Sequence, residues 1–401
     1  MALRSPLEAI RKFHDDLTLL RRDLHAHPEL GFEEVRTSGI VAKALELLGV
    51  EVHRGIGKTG LVGVIRGRRC DSGRMIGLRA DMDALPMAED NAFEHRSSKP
   101  GLMHGCGHDG HTTILLGVAR YLSRTRNFDG TAVLIFQPAE EGLGGARAMM
   151  EDGLFDIFPC NEIYALHNWP GLPAGKVGIN PGPMMAASDR FEIVIEGKGG
   201  HGAHPYQTID PVVVAGQIIT ATQSIVARNV NPLDSAVVSI CSVQAGHPGA
   251  MSVIPREARL VGTVRTFRRT VQEMVETRLR DLSSSIAAAF GATATLKYDR
   301  IYPATINTPR EANFVADVAT AMLGRENVIR DLTPSMGAED FSFMLQGRPG
   351  AYFRLGQGGR VRGSLGHLRI IIYPRVYPYK PPPPTCRCRA GWHPGTSARP
   401  S

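Results

Sequence analysis

The 401-residue sequence contains no run of 18 or more apolar residues, so no segment reads as a transmembrane helix. Its first residues, Met1-Ala2-Leu3-Arg4-Ser5, lead into a charged amphipathic stretch rather than an apolar signal core, and we expect a cytoplasmic protein with no membrane partner. Cysteines are few and scattered. Cys70, Cys106, Cys160 and Cys241 are spread through the body of the chain and read as reduced thiols, not as a disulfide framework. Acidic residues are missing from one region altogether. Residues 360–401 carry eight basic residues and no Asp or Glu; without them, 38 basic residues face 39 acidic ones, a net charge of −1. The formal charge of +7 therefore belongs to the tail, and residues 1–359 offer no electrostatic argument for a nucleic-acid partner.

Hydrophobic residues make up 43% and charged residues 21%, the balance of a folded globular chain, and 401 residues exceed what one core usually holds. Apolar spacing predicts helices over 8–24, 38–48 (with Thr37 as cap and Gly49 as stop) and 111–123. Apolar runs predict strands at 61–65, 75–78, 131–136 and 163–166. This alternation argues for an α/β layer structure. Near Ser188 the texture changes. A strand at 191–196, a helix at 209–228, strands at 236–243 and 258–265, a helix at 271–289 and a strand at 292–298 give the β-α-β-β-α-β order of a ferredoxin-like unit. A helix at 310–323 and a strand at 351–355 follow. The expected organisation is a catalytic domain over 1–186 and 300–359, interrupted by an inserted unit over 187–299. The tail, 360–401, holds eight of the 27 prolines, and its abrupt change in composition leads us to expect a segment translated from a shifted frame.

Polar residues collect after the predicted strands. Asp81 and Asp83 follow 75–78, Glu140 and Glu141 follow 131–136, and His167 ends 163–166. Sites in open α/β sheets gather beyond the carboxyl ends of strands. Cys106 and His108 stand two apart in a glycine-rich turn, and thiolate with imidazole suits zinc, cobalt, nickel or manganese. Taken alone, the pair reads rather as a buried thiol beside an ordinary histidine. Adjacent acids allow one to hold a metal while the other takes a proton from water; they equally fit two solvated acids opening a helix. His167 alone reads as a satisfied core residue. His201 and His204 lie in a glycine-rich loop of the inserted unit, which reaches such a site only by domain closure or from a second subunit.

Six ordered motifs resemble the M20-type metallopeptidases, in the branch of hippurate hydrolase, N-acyl-amino-acid amidohydrolases and auxin-conjugate hydrolases. They are Arg-Asp-Leu-His-Ala-His-Pro-Glu-Leu (22–30), Arg-Ala-Asp-Met-Asp-Ala-Leu-Pro (79–86), His-Gly-Cys-Gly-His-Asp-Gly-His (104–111), Gln-Pro-Ala-Glu-Glu-Gly (137–142), Gly-Lys-Gly-Gly-His-Gly-Ala-His-Pro (197–205) and Gly-Ala-Glu-Asp-Phe (337–341). The resemblance implies an α/β fold: a mixed-sheet catalytic domain with helices on both faces, interrupted by a ferredoxin-like α+β lid and dimerisation domain. It implies a homodimer with two divalent metal ions, Zn, Mn, Co or Ni. It implies Cys106, His108, Glu141 and His167 as metal ligands, Glu140 as general base, Asp83 as the acid orienting a ligand, and His201 as oxyanion stabiliser supplied across the dimer. Asn229 and Arg265 match the positions that contact the substrate carboxylate. His367, in Ser364-Leu365-Gly366-His367-Leu368-Arg369, has the spacing of the remaining ligand in an altered context. The implied activity is hydrolysis of the amide bond of N-acyl amino acids, a small-molecule substrate. The alternatives are a dipeptidase or aminoacylase of the same family, or a catalytically impaired homodimeric binding protein.

Overall fold

Strands built from uninterrupted apolar runs need cover on both faces, and that requirement organises the structure. The computed structural model describes residues 6–358. One mixed eight-stranded sheet has the spatial order Glu51–Arg54, Leu61–Arg66, Thr131–Gln137, Met75–Asp81, Glu162–Trp169, Gly350–Gly356, Val177–Gly178 and Val328–Ile329. Its four central strands, 131–137, 75–81, 162–169 and 350–356, run parallel, so their carboxyl ends share one edge. Leu61, Leu134 and Phe136 pack toward Val41, Leu45 and Leu116 on one side; Ile135 and Ile163 pack toward Met149, Phe341 and Met344 on the other. The fold is the expected mixed-sheet α/β class.

Residues 187–302 form a separate four-stranded antiparallel sheet in the order Ala236–Ala245, Glu257–Thr266, Ala187–Glu196, Thr293–Tyr302. Helices Pro211–Ser224 and Arg269–Ala289 cover it, and Phe191, Ile193, Ile218, Leu260, Val275 and Leu279 form its own core. Numbered within the unit, the strand order is 2-3-1-4, that of a ferredoxin-like unit. Asp210 accepts a hydrogen bond from the Val212 amide (2.8 Å) and Pro211 takes the first helical position, so the first helix starts at 211 rather than 209. At its other end it continues as a π-helical turn, Ile225–Asn229.

Three further elements differ from expectation for identifiable reasons. The helix predicted over 8–24 is two helices, Pro6–Arg11 and His14–Ala26, because Phe13 turns inward and is buried beneath the Arg120 guanidinium, 4.5 Å from its ring centre. Thr37 is not a cap. The helix runs Val35–Leu47, and the Glu29 carboxylate serves its first turn, accepting from the Arg36 amide (3.1 Å), the Thr37 amide (2.8 Å) and Thr37 Oγ1 (2.9 Å). The helix predicted from 111 begins at His108 and ends at Thr125. Among the described residues, no helix is long and apolar enough to cross a membrane.

Candidate metal centre

Parallel pairing brings Asp81, the Pro138–Glu141 turn and His167 to one edge of the sheet. Strand 75–81 ends on Asp81; His167 lies inside strand 162–169 rather than at its end. Cys106 and His108 arrive on the turn that opens helix His108–Thr125. Gly107 between them has φ +94°, and a Cβ there would lie 2.6 Å from Asn168 Oδ1, so this turn requires glycine. Ala139 also takes positive φ, +52°, where a side chain is disfavoured; it directly precedes the acid pair.

Cys106, His108 and His167 each present a donor atom within 4.8 Å of the other two, and so, as a second set, do His108, Glu140 and Glu141. Cys106 Sγ lies 3.3 Å from His167 Nε2. His167 Nδ1 donates to its neighbour's carbonyl, Asn168 O (2.6 Å), which leaves the Nε2 lone pair facing the thiol. Asp83 Oδ1 accepts from His108 Nδ1 (3.1 Å), and its other oxygen accepts from the Glu141 amide (2.9 Å). One carboxylate thus orients the imidazole and the acid together. His108 Nε2 and Glu141 Oε1, 4.0 Å apart, are buried and make no hydrogen bond. Buried polar atoms left this way are costly, and a cation between them satisfies both.

Burial and neighbouring charges set which donors are ready to ligate. Burial holds His167 neutral, down to about 3, the form that ligates. Burial also pushes the Cys106 thiol up to about 12; a bound divalent ion is what returns a buried thiol to thiolate. Burial opposes charge on His108, but Asp81, Cys106 and Asp83 outweigh it and raise its affinity for a proton. Glu140 is driven well above the usual carboxylate range, first by burial and then by Glu339, Asp340 and Glu141. The donor set of sulfur, imidazole and carboxylate fits zinc, manganese, cobalt or nickel.

The remaining expected residues lie apart. His201 is exposed on the short strand Gly200–His201, paired with Val253–Ile254, and its ring neighbours His204 at 5.6 Å. Asn229 is exposed and accepts from Arg278 Nε (3.3 Å). Arg265 lies on strand 257–266, its guanidinium turned back on Thr263 and the Val264 carbonyl. Among the described residues, His201 belongs to no cluster of His, Cys, Asp and Glu able to hold a metal. His367 lies outside the described residues.

The structure adds residues to which no role was assigned from sequence. His111, one helical turn after His108, sits between Asp81 Oδ1 and Asn168 Oδ1, 2.6 Å from each. Asn168 in turn donates to Gln357 Oε1 (2.5 Å). Arg79 is fully buried and donates to Gln137 (2.8 Å), Asp81 (2.6 Å), Glu339 (2.9 Å) and Asp340 (3.1 Å). All of these except Asn168 and Gln357 fall within motifs picked out in the sequence, and His111 at i+3 from His108 was the one visible signal.

With this geometry in place, comparison with known proteins assigns the class. The family model for Peptidase family M20/M25/M40 matches residues 77–368, and the chain belongs to that family. Two relatives are 42% identical to it: the hippurate hydrolase of Campylobacter jejuni, covering 83% of this chain and 86% of its own, and the N-acetylcysteine deacetylase of Bacillus subtilis, covering 88% and 90%. A crystal structure of a dinuclear metal binding peptidase of the M20 family from Bacillus subtilis superimposes with a TM-score of 0.75 at 39% identity, covering 86% of this chain and 89% of its own. The protein is an amide-cleaving hydrolase of a metal-dependent amidohydrolase family.

Proposed function

We propose that the protein hydrolyses the amide bond of N-acyl amino acids of the hippurate or N-acetyl type, releasing a carboxylic acid and an amino acid. The observation that carries this reading is the convergence of Cys106, His108, His167 and Glu141 beside Glu140, with His108 Nε2 and Glu141 Oε1 lacking hydrogen-bond partners. Cys106, His108, Glu141 and His167 would hold two divalent ions of zinc, manganese, cobalt or nickel. The family match runs to residue 368 and so takes in His367, the proposed remaining ligand. Such ions would supply Lewis acidity and lower the pKa of bound water. Glu140 takes the proton of the attacking water and returns it to the departing amine. Asp83 keeps His108 and Glu141 in place.

Residues 187–299 would serve as lid and dimerisation unit between the two parts of the catalytic domain, 1–186 and 300–359. His201 of a second copy would stabilise the oxyanion, and Asn229 with Arg265 would meet the substrate carboxylate. We place the homodimer in the cytoplasm. The test is amine release from N-benzoylglycine and from N-acetyl amino acids. Glu140→Gln should lower turnover at least about 10²-fold; near-normal turnover removes Glu140 from the role of base.

A further inference from the structure

Tyr302 ends the strand Thr293–Tyr302, where the chain leaves the four-stranded unit and returns to the large sheet. Its hydroxyl is buried and placed against the acid-bearing turn: it donates to the Glu140 carbonyl (2.7 Å) and accepts from the Gly144 amide (3.2 Å). One phenol oxygen therefore spans both ends of the turn that carries Glu140 and Glu141. Three residues on, buried Thr305 donates to the carbonyl of Glu339 (3.2 Å), and the next amide, that of Asp340, donates to Glu140 Oε1 (3.3 Å). The return crossover thus touches the chain on both sides of the Glu140 side chain.

The turn needs such support, since Ala139 holds positive φ immediately before Glu140. The ring of Tyr302 packs edge-on against Phe343, with centroids 6.0 Å apart, and both residues border a cavity of about 320 Å³ that Thr266 and Arg268, at and just past the end of a strand of the four-stranded unit, also line.

We infer that Tyr302 is a positioning residue for the catalytic turn, so that the placement of Glu140 depends on where the inserted unit rejoins the large sheet. This rests on Glu140 being the base. A displacement of a catalytic group by about 1 Å can cost up to roughly 10²-fold in rate; for loss of one hydroxyl from an otherwise intact turn we expect kcat of Tyr302→Phe to fall roughly tenfold, with KM unchanged. Tyr298→Phe is the control. It removes a comparable hydroxyl, which donates to Asp189 (2.6 Å) within the four-stranded unit, and touches nothing in the turn; its kcat should match the unaltered protein.

The experiment combines steady-state kinetics of Tyr302→Phe, Tyr298→Phe and Glu140→Gln with hydrogen exchange over residues 138–145, a readout independent of turnover. Faster exchange in that segment for Tyr302→Phe alone, with a kcat-only defect wherever turnover is measurable, supports the proposal. Unchanged exchange, or an equal loss in Tyr298→Phe, overturns it while leaving the role of Glu140 standing if Glu140→Gln is inert. Near-normal turnover in Glu140→Gln overturns both.

Discussion

Arg79 joins three carboxylates that border the site, Asp81, Glu339 and Asp340. Burial disfavours its charge, but Glu339, Asp81 and Asp340 hold it ionised. It joins Asp81, which lies against His108 and His111, to the 339–340 turn above Glu140. Removing one member of a buried ionic group leaves the others uncompensated, which typically costs about 3–5 kcal/mol. Arg79→Met should therefore lower unfolding free energy by roughly that amount in urea denaturation. A loss under about 1 kcal/mol would mean the carboxylates find other partners or protonate without cost. The sequence displayed Arg79, Asp81 and the Glu339-Asp340 pair inside its motifs, yet not their contact, because 260 residues separate Arg79 from Glu339.

At the scale of elements, legibility followed burial. Strand 131–137 was readable because both faces are covered and every residue from 132 to 136 is apolar. The alternation in 187–196 was readable because one face packs on helices while the other stays partly exposed. The short pieces Val177–Gly178, Gly182–Met185 and Val328–Ile329 are too brief to carry a period, and tertiary pairing alone defines them. The cap at Val35–Leu47 was misread for a related reason: its acceptor, Glu29, lies outside the local window in which Thr37 looked sufficient. The two sheets have separate cores, and a change in one should be felt there first. Leu260 is fully buried in the four-stranded unit. Leu260→Ala should cost roughly 2–5 kcal/mol. Trp169, in the large sheet, reports on the other core. In a Trp392→Phe background, where Trp169 is the one tryptophan, far-UV circular dichroism should therefore show an unfolding transition that moves to lower denaturant ahead of the fluorescence. Coincident transitions would show that the two cores unfold as one.

For the whole molecule, the residues that meet at the sheet edge and those that remain on the four-stranded unit divide the proposed chemistry in two. Cys106, His108, Glu140, Glu141 and His167 were legible as a site because each follows or borders a predicted strand or helix start, and parallel pairing gathers such ends. The roles of His201, Asn229 and Arg265 were legible only through resemblance, and they stand on different elements: Arg265 on the four-stranded sheet, Asn229 on the π-helical turn and His201 on the short pair with Val253–Ile254. The proposed function requires the gathered residues to hold metal ions on which amide cleavage depends. The most direct measurement is amine release from N-benzoylglycine and N-acetyl amino acids before chelation, after it, and after adding back zinc or manganese, with metal content per chain followed alongside. Release should vanish on chelation and return with metal, and the Glu140→Gln protein should regain the same metal but stay inert. Amine release undiminished in metal-free protein would contradict that dependence.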